Sequence, residues 1–241
     1  MHDFCAFMTI ISIETSTSVC SAAVSVNGNT QLSRINREGA NHAKMLPIYI
    51  KELLDEVAAR GWHIDAVALS EGPGSYTGLR IGTSTAKGLC YGLNVPLIPI
   101  PTTEVLCANV KKNLSPFTFY LSPLIDARRM EVYTALYDAD IHPLTPIQAL
   151  VLNNKENLLT SDFQLSTLFF GDGAEKARPI LESDTWHFVR DIVPDATYMG
   201  ALAEQKYNEP TTRKTAQELA YYEPFYLKDF IAAPSHVKGL N

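Results

Sequence analysis

The stretch "TIISIETSTSVCSAAVSVNGNTQLSRINR", Thr9–Arg37, decides the fold. "TIISIE" (Thr9–Glu14) is an unbroken apolar run that ends on an acid, as a buried strand does. "TST" then turns the chain, and "VCSAAVSV" (Val19–Val26) reads as a second strand. "NGN" at Asn27–Asn29 is a hairpin signal, because Asn and Gly tolerate the positive φ of a tight turn. "TQLSRINR" (Thr30–Arg37) completes an antiparallel three-strand meander.

A helical stretch follows, with Leu46, Ile50, Leu53, Leu54 and Val57 on one face and Lys44, Lys51, Asp55 and Glu56 opposite. Pro47 has no N–H to donate, so the first turn is expected around it, and Gly61 ends the helix. "IDAVALS" (Ile64–Ser70) is a buried strand, a glycine loop leads into a helix through about Leu93, "PLIPI" (Pro96–Ile100) is a strand and "TTEVLCANVKK" a helix. Three antiparallel strands, helix, strand, helix, strand, helix is the order of the ribonuclease-H-like half-domain of the actin and sugar-kinase (ASKHA) superfamily. The expected class is therefore α/β, with two such domains and the second reduced.

The polar, turn-rich "KKNLSPF" (Lys111–Phe117) divides the chain into residues 1–110 and a smaller domain, 111–241. Beyond it, "TFYLSPLIDAR" and "RMEVYTALYDAD" read as strands and "STLFFGDGAEKARPILE" as strand, glycine turn and helix. "PDATYMGALAEQKYNE" is a late helix capped by Asp195 or Thr197, and "AYYEPFYLKDF" an extended tail. Residues 1–7 read as an extension or a frayed arm, with Met8 an alternative start.

Apolar residues make up 46% of 241, enough for a sizeable core. The net charge of −6 disfavours unaided nucleic-acid binding, since phosphate neutralisation supplies most of that affinity. Cys5, Cys20, Cys90 and Cys107 form no C-x-x-C pair, which suits reduced cytoplasmic thiols better than disulfides or zinc. No apolar run reaches the ~20 residues of a membrane span, and "MHDFCAFM" lacks the basic and apolar parts of a secretory signal.

"SEGPGSYTGLRIGTSTAKGLCYG" (Ser70–Gly92) resembles a phosphate loop feeding a helix. It fails both standard patterns: Leu79 and Arg80 stand where a Walker loop needs Lys and Ser/Thr, and Gly72, Gly74 and Gly78 are spaced one residue too long for a dinucleotide fingerprint. Two readings stay open: a sharp strand-to-helix turn, or a weak anion site at a helix N-terminus. Along the helix, Gly78, Gly82 and Ala86 recur at every fourth residue. Each interior glycine costs ~1 kcal/mol against alanine, so close approach to another backbone is expected. That neighbour is either the helix's own sheet or another chain, and the nearly all-round apolar character favours another chain.

"ISIETSTSVCSAAV", "EGPGSYTGLRIGTSTAKGL", "IDARRMEVY" and "EPFYLKDF" together resemble the TsaB (YeaZ) family, with the blocks in family order from Ile10 to Phe230. That family has also been labelled glycoprotease-like or peptidase M22-like. The resemblance implies the two-domain ASKHA fold and a non-catalytic subunit. Its partner would be TsaD, the catalytic paralogue that transfers threonylcarbamoyl to adenosine beside the tRNA anticodon (t6A biosynthesis), with the ATPase TsaE joining the assembly. It also implies docking through two N-terminal helices, which match His42–Arg60 and Thr77–Leu93 here. Met45, Ile48, Tyr49, Gly78, Leu79, Gly82 and Ala86 are the expected interface, and Gly72, Gly74, Ser75 and Arg80 the glycine loop. The free chain pairs with itself or stays monomeric, and tRNA is met only indirectly.

No cofactor or metal is expected. Related kinases carry D-x-G-x-T after their first strand, where this chain has Glu14-Thr15-Ser16-Thr17. The second such loop matches Asp126-Ala127-Arg128-Arg129, again without glycine. The metal-binding H-x-x-x-H of TsaD-like proteins falls on Thr102 and Leu106, with Glu104 between them. Glu14, Asp126, Arg128 and Glu131 are candidate polar residues of the cleft, and His42 is expected at the surface or in a cap. The alternative function is an ATP-dependent phosphotransferase of the same superfamily.

Overall fold

The computed structural model describes residues 7–39, 41–114, 119–152, 166–181 and 185–228. The expectations for residues 1–6, including the alternative start, lie outside them, as does the end of the tail. β1 (Thr9–Glu14), β2 (Cys20–Val26) and β3 (Asn29–Asn36) form the antiparallel meander. β4 (Ala66–Gly72) joins β1 in parallel, and β5 (Leu97–Pro101) joins β4, giving the order β3-β2-β1-β4-β5.

The sheet is buried on both faces, so its central strands read as continuous apolar runs. Ile11, Ile13, Val67 and Leu69 face α1 (His42–Ala59) and α2 (Tyr76–Leu93). Ile10, Ala66 and Ala68 face Val105 of α3 (Thr102–Leu114) and Ala203 of α5 (Gly200–Asn208).

The second sheet repeats this topology. β6 (Tyr120–Asp126), β7 (Glu131–Thr134) and β8 (Gln148–Val151) form a meander, while β9 (Thr167–Phe170) and β10 (Trp186–Phe188) add parallel strands. Its order, β10-β9-β6-β7-β8, is that of the first sheet read from the other edge. The reduction is visible in α4 (Ala174–Ala177), a single turn packed on Phe169 and Leu124. α3 lies between the sheets, with Val105 against the first and Leu106, Cys107 and Val110 against Leu121 and Phe170 of the second. These two ribonuclease-H-like sheets, one with reduced helices, make the ASKHA architecture.

Several expectations need correcting. α1 begins at His42, where the Asn41 carbonyl accepts from Lys44 and Met45, so Pro47 lies in the second turn and not at the start. β4 begins two residues later than expected, and β8 and β10 are additional strands. The late helix starts with a 3-10 turn (Ala196–Tyr198), where the Asp195 side chain accepts from Thr197 N at 2.9 Å. Residues 196–208 then return to the first sheet: Ala196 N donates to Ser21 Oγ, Thr30 Oγ1 donates to Thr197 O, and Ala203 lies in that sheet's core. The segment 111–241 therefore does not pack as one body.

Candidate functional site

At the carboxyl ends of β1 and β4, where open α/β sheets bind ligands, the glycine loop is filled by the chain itself. Gly72 has φ +120°, a conformation that suits glycine. A Cβ there would come within 2.6 Å of the Phe225 carbonyl oxygen, so only a bare backbone admits the C-terminal strand of chain. Phe225 N donates to Glu71 O at 2.8 Å, and Tyr222 OH donates to Glu71 Oε2 at 3.0 Å. On the other side Ser75 N donates to Ser16 O at 2.6 Å, and a Cβ on Gly74 would fall on the same oxygen. Ser75 is the N-cap of α2, although its hydroxyl is a long 3.4 Å from Gly78 N.

The small-residue face of α2 points inward. A Cβ on Gly78 would fall on the Thr15 carbonyl oxygen, and one on Gly82 on Thr15 Oγ1, with Leu69 Cδ1 at 3.3 Å. Thr15 Oγ1 in turn donates to Gly78 O at 2.9 Å. Gly78, Leu79, Gly82 and Ala86 are buried, and Tyr49 of α1 is buried with them. The expected interface is thus corrected at these five positions: they serve the contact between α2 and its own sheet. Sequence periodicity found the close approach and assigned it to the wrong neighbour.

The outward face is a different set. Gly88 and Gly92 have no heavy atom within 4 Å of an added Cβ, Ser84 is exposed, and Tyr91 is 87% exposed. On α1, which lies beside α2, Ile48 is exposed and Met45 half-buried. Ile81 and Leu89 are half-buried between the two faces.

Glu14 is fully buried, not a cleft residue. Its Oε1 accepts from Ser16 N at 2.5 Å, while Oε2 has no partner. Burial pushes its carboxyl up from the usual carboxylate value to about 7, against the opposing pull of its hydrogen bonds. His42 is buried too: its Nε2 lies 2.9 Å from Thr17 O, so it ties α1 to the turn after β1.

Asp126 is exposed on the β6–β7 turn, where its Oδ1 accepts from Arg128 N at 2.7 Å and pairs with Lys176. Arg128 and Arg129 both have positive φ, 65° and 48°. Among the described residues no hydrogen bond or ion pair joins Asp126 or Arg128 to Glu14. Thr102 bonds Ser70 at 2.8 Å, Leu106 is in the core, and Glu104 pairs with Lys206 at 3.0 Å. Among the described residues no three His, Cys, Asp or Glu side chains converge as a metal cluster.

Sequence reasoning did not place the segment 222–228. It lies along α2 and bounds a groove of about 480 Å³ lined by Tyr76, Arg80, Thr83, Lys87, Tyr226 and Lys228. Tyr226 packs on Tyr76 with ring centroids 4.9 Å apart, Arg80 lies 5.5 Å over the Tyr76 ring, and Lys228 pairs with Glu131 of β7. Its aromatic run was the only signal available.

The model of the family "TsaD: tRNA N6-adenosine threonylcarbamoyltransferase" matches residues 36–235. The Bacillus subtilis tRNA threonylcarbamoyladenosine biosynthesis protein TsaB is 33% identical over 200 residues, 82% of each chain. The chain belongs to the TsaB (YeaZ) family. The Escherichia coli TsaB is 29% identical over 238 residues, covering 93% of this chain and 96% of its own. The structure of YeaZ from Pseudomonas aeruginosa superposes with a TM-score of 0.76 at 23% identity, covering 91% of this chain and all of that one, which shows the shared fold. TsaB and the threonylcarbamoyltransferases are paralogues, and a Staphylococcus carnosus transferase is 32% identical over 134 residues, 48% of this chain and 38% of its own. Among the described residues no helix is long and apolar enough to cross a membrane.

Proposed function

We propose that the chain is the non-catalytic partner of a TsaD-type transferase in t6A biosynthesis and docks through the outward face of α1 and α2. The family membership supports the pathway. The observation that carries the non-catalytic reading is Glu14: the acid standing where a kinase of this fold would hold its metal is fully buried on a self-filled loop. The positions matching the transferase's metal histidines are a buried threonine and a core leucine. The docking face is Met45, Ile48, Ser84, Gly88 and Tyr91, where small residues let a second pair of helices approach closely. The TsaE-type ATPase joins the pair, tRNA is bound mainly by the partner, and the site is cytoplasmic. In the free chain the same face pairs two copies.

The test is threonylcarbamoyl transfer to tRNA with the chain alone, with the transferase alone, and with both. The reading expects transfer only with both present. Transfer by the chain alone overturns it. Mg²⁺–ATP binding tighter than about 10 μM, roughly 7 kcal/mol, would favour the phosphotransferase alternative.

A further inference from the structure

We propose that Glu14 is a positioning residue, held as the neutral acid in the folded chain, whose bond to Ser16 N sets the turn on which both docking helices are mounted. The turn Thr15–Thr17 is a hub. Ser16 O receives Ser75 N at 2.6 Å, fixing the glycine loop that starts α2. Thr15 Oγ1 donates to Gly78 O at 2.9 Å, and the bare backbones of Gly78 and Gly82 rest on Thr15. Thr17 O meets His42 Nε2 at 2.9 Å, at the first residue of α1. The only contact that ties this turn to the strand side chain before it is Glu14 Oε1 with Ser16 N, at 2.5 Å among the described residues. A change in that bond moves the starts of α1 and α2 together.

The surroundings of Glu14 are built for a neutral group. Its Oε2 is buried without a donor, and so is the hydroxyl of Ser12, two residues back on the same face of β1. A carboxylate accepts at both oxygens, whereas a carboxylic acid needs an acceptor for one proton. Ser12 Oγ and the Ser70 hydroxyl, which lies 2.8 Å from Thr102 Oγ1, are oxygens on that side of the sheet. The ionisable groups that face Glu14 are Asp195, before the 3-10 turn, and the Cys20 thiol of β2, with His42 reaching the turn from α1. Asp195 is engaged by Arg37 at 3.5 Å. Among the described residues no cation pairs with Glu14 itself, so its ionised form is a buried, uncompensated charge.

The folded carboxyl lies raised, at about 7 against an ordinary 4.5. The folded state therefore holds the proton that the unfolded chain has lost. The stability this contributes is complete below pH 4.5 and is lost as pH rises through about 7. Over that window the gap corresponds to roughly 300-fold in the unfolding constant, or ~3 kcal/mol at 1.36 kcal/mol per pH unit. Glu71, Glu104 and Asp172 are also raised by burial, so only a comparison with a Glu14 variant isolates this residue.

The experiment is carried out on the full chain. Carboxyl ¹³C shifts of Glu14 are titrated by NMR, and urea unfolding of wild type and Glu14→Gln is compared from pH 4.5 to 8.5. Glu14→Gln keeps the Oε1 acceptor and the neutral charge. The expected result is a Glu14 midpoint well above 5, and a wild-type stability loss that shrinks by up to roughly 300-fold in unfolding constant in Glu14→Gln. The docking half rests on the proposed partner face: wild-type affinity for the transferase falls across the same window and that of Glu14→Gln does not. A midpoint near 4.5 on the wild-type chain overturns the proposal even if the variant fails to fold. An unchanged pH slope in a folded variant does the same, as does pH-independent docking of a wild type whose Glu14 ionises. Absence of docking at every pH, with Glu14 titrating near 7, overturns the docking-face reading and leaves the neutral acid standing.

Discussion

Substituting leucine at Gly82 and at Gly88, two glycines six residues apart on α2, separates the buried face from the docking face. At Gly82 a new Cβ meets Thr15 Oγ1 and sits 3.3 Å from Leu69 Cδ1, beneath a helix whose neighbours are fixed by the β1 turn. Overfilling a packed core costs about 1–3 kcal/mol. Removing a helical glycine returns up to about 1 kcal/mol, so Gly82→Leu should lose about 1–2 kcal/mol or more. For a chain of this length that lowers Tm by roughly 2–4 °C per kcal/mol. Gly88 has no heavy atom within 4 Å of an added Cβ. Gly88→Leu should keep or raise Tm by a few degrees on propensity alone. It places a bulky side chain on the outward face, and affinity for the transferase should fall by about tenfold or more, 1.4 kcal/mol. Calorimetry of each variant alone and with the transferase reads both quantities. The reasoning is refuted if Gly82→Leu melts as wild type yet fails to dock, or if Gly88→Leu docks normally.

Other consequences follow from single contacts. His42→Ala removes the bond to buried Thr17 O and should cost about 1–3 kcal/mol, read as a lower urea midpoint at unchanged slope. Phe169→Ala in the second sheet should cost about 3–5 kcal/mol, because its ring is fully buried against Trp186 and Phe188. Tyr222→Phe breaks the bond to Glu71 and should loosen the segment along α2, seen as faster amide exchange at Phe225 N, the donor to Glu71 O. Burial pushes the Cys20 thiol up to about 11 and Cys90 to about 12, with Cys107 also raised, so mass-resolved alkylation of the native chain at pH 8 should leave all three unmodified.

The first sheet was legible because each of its strands is an apolar run closed by a turn signal, and because α1 and α2 carry helical periodicity. β8 and β10 escaped notice because "QALV" and "WHF" are too short to show a period. Pro47 misled by one turn, since Asn41 can cap the helix through its backbone without leaving a sequence mark. The glycine stripe was read correctly as close approach, but one sequence cannot say whether a helix approaches its own sheet or another chain. Only Gly88, Ser84 and Tyr91, spaced along the opposite face, identify the free side. The burial of Glu14 was not legible at all: an acid closing a strand looks the same whether it faces a cleft or the 3-10 turn that returns after residue 194.

The most direct measurement is isothermal calorimetry of the purified chain into the TsaD-type transferase from the same source. The account predicts a saturable one-to-one complex of micromolar or tighter affinity, about 8 kcal/mol, that Gly88→Leu weakens about tenfold or more. No binding by the folded wild-type chain, or binding indifferent to Gly88→Leu, would contradict it.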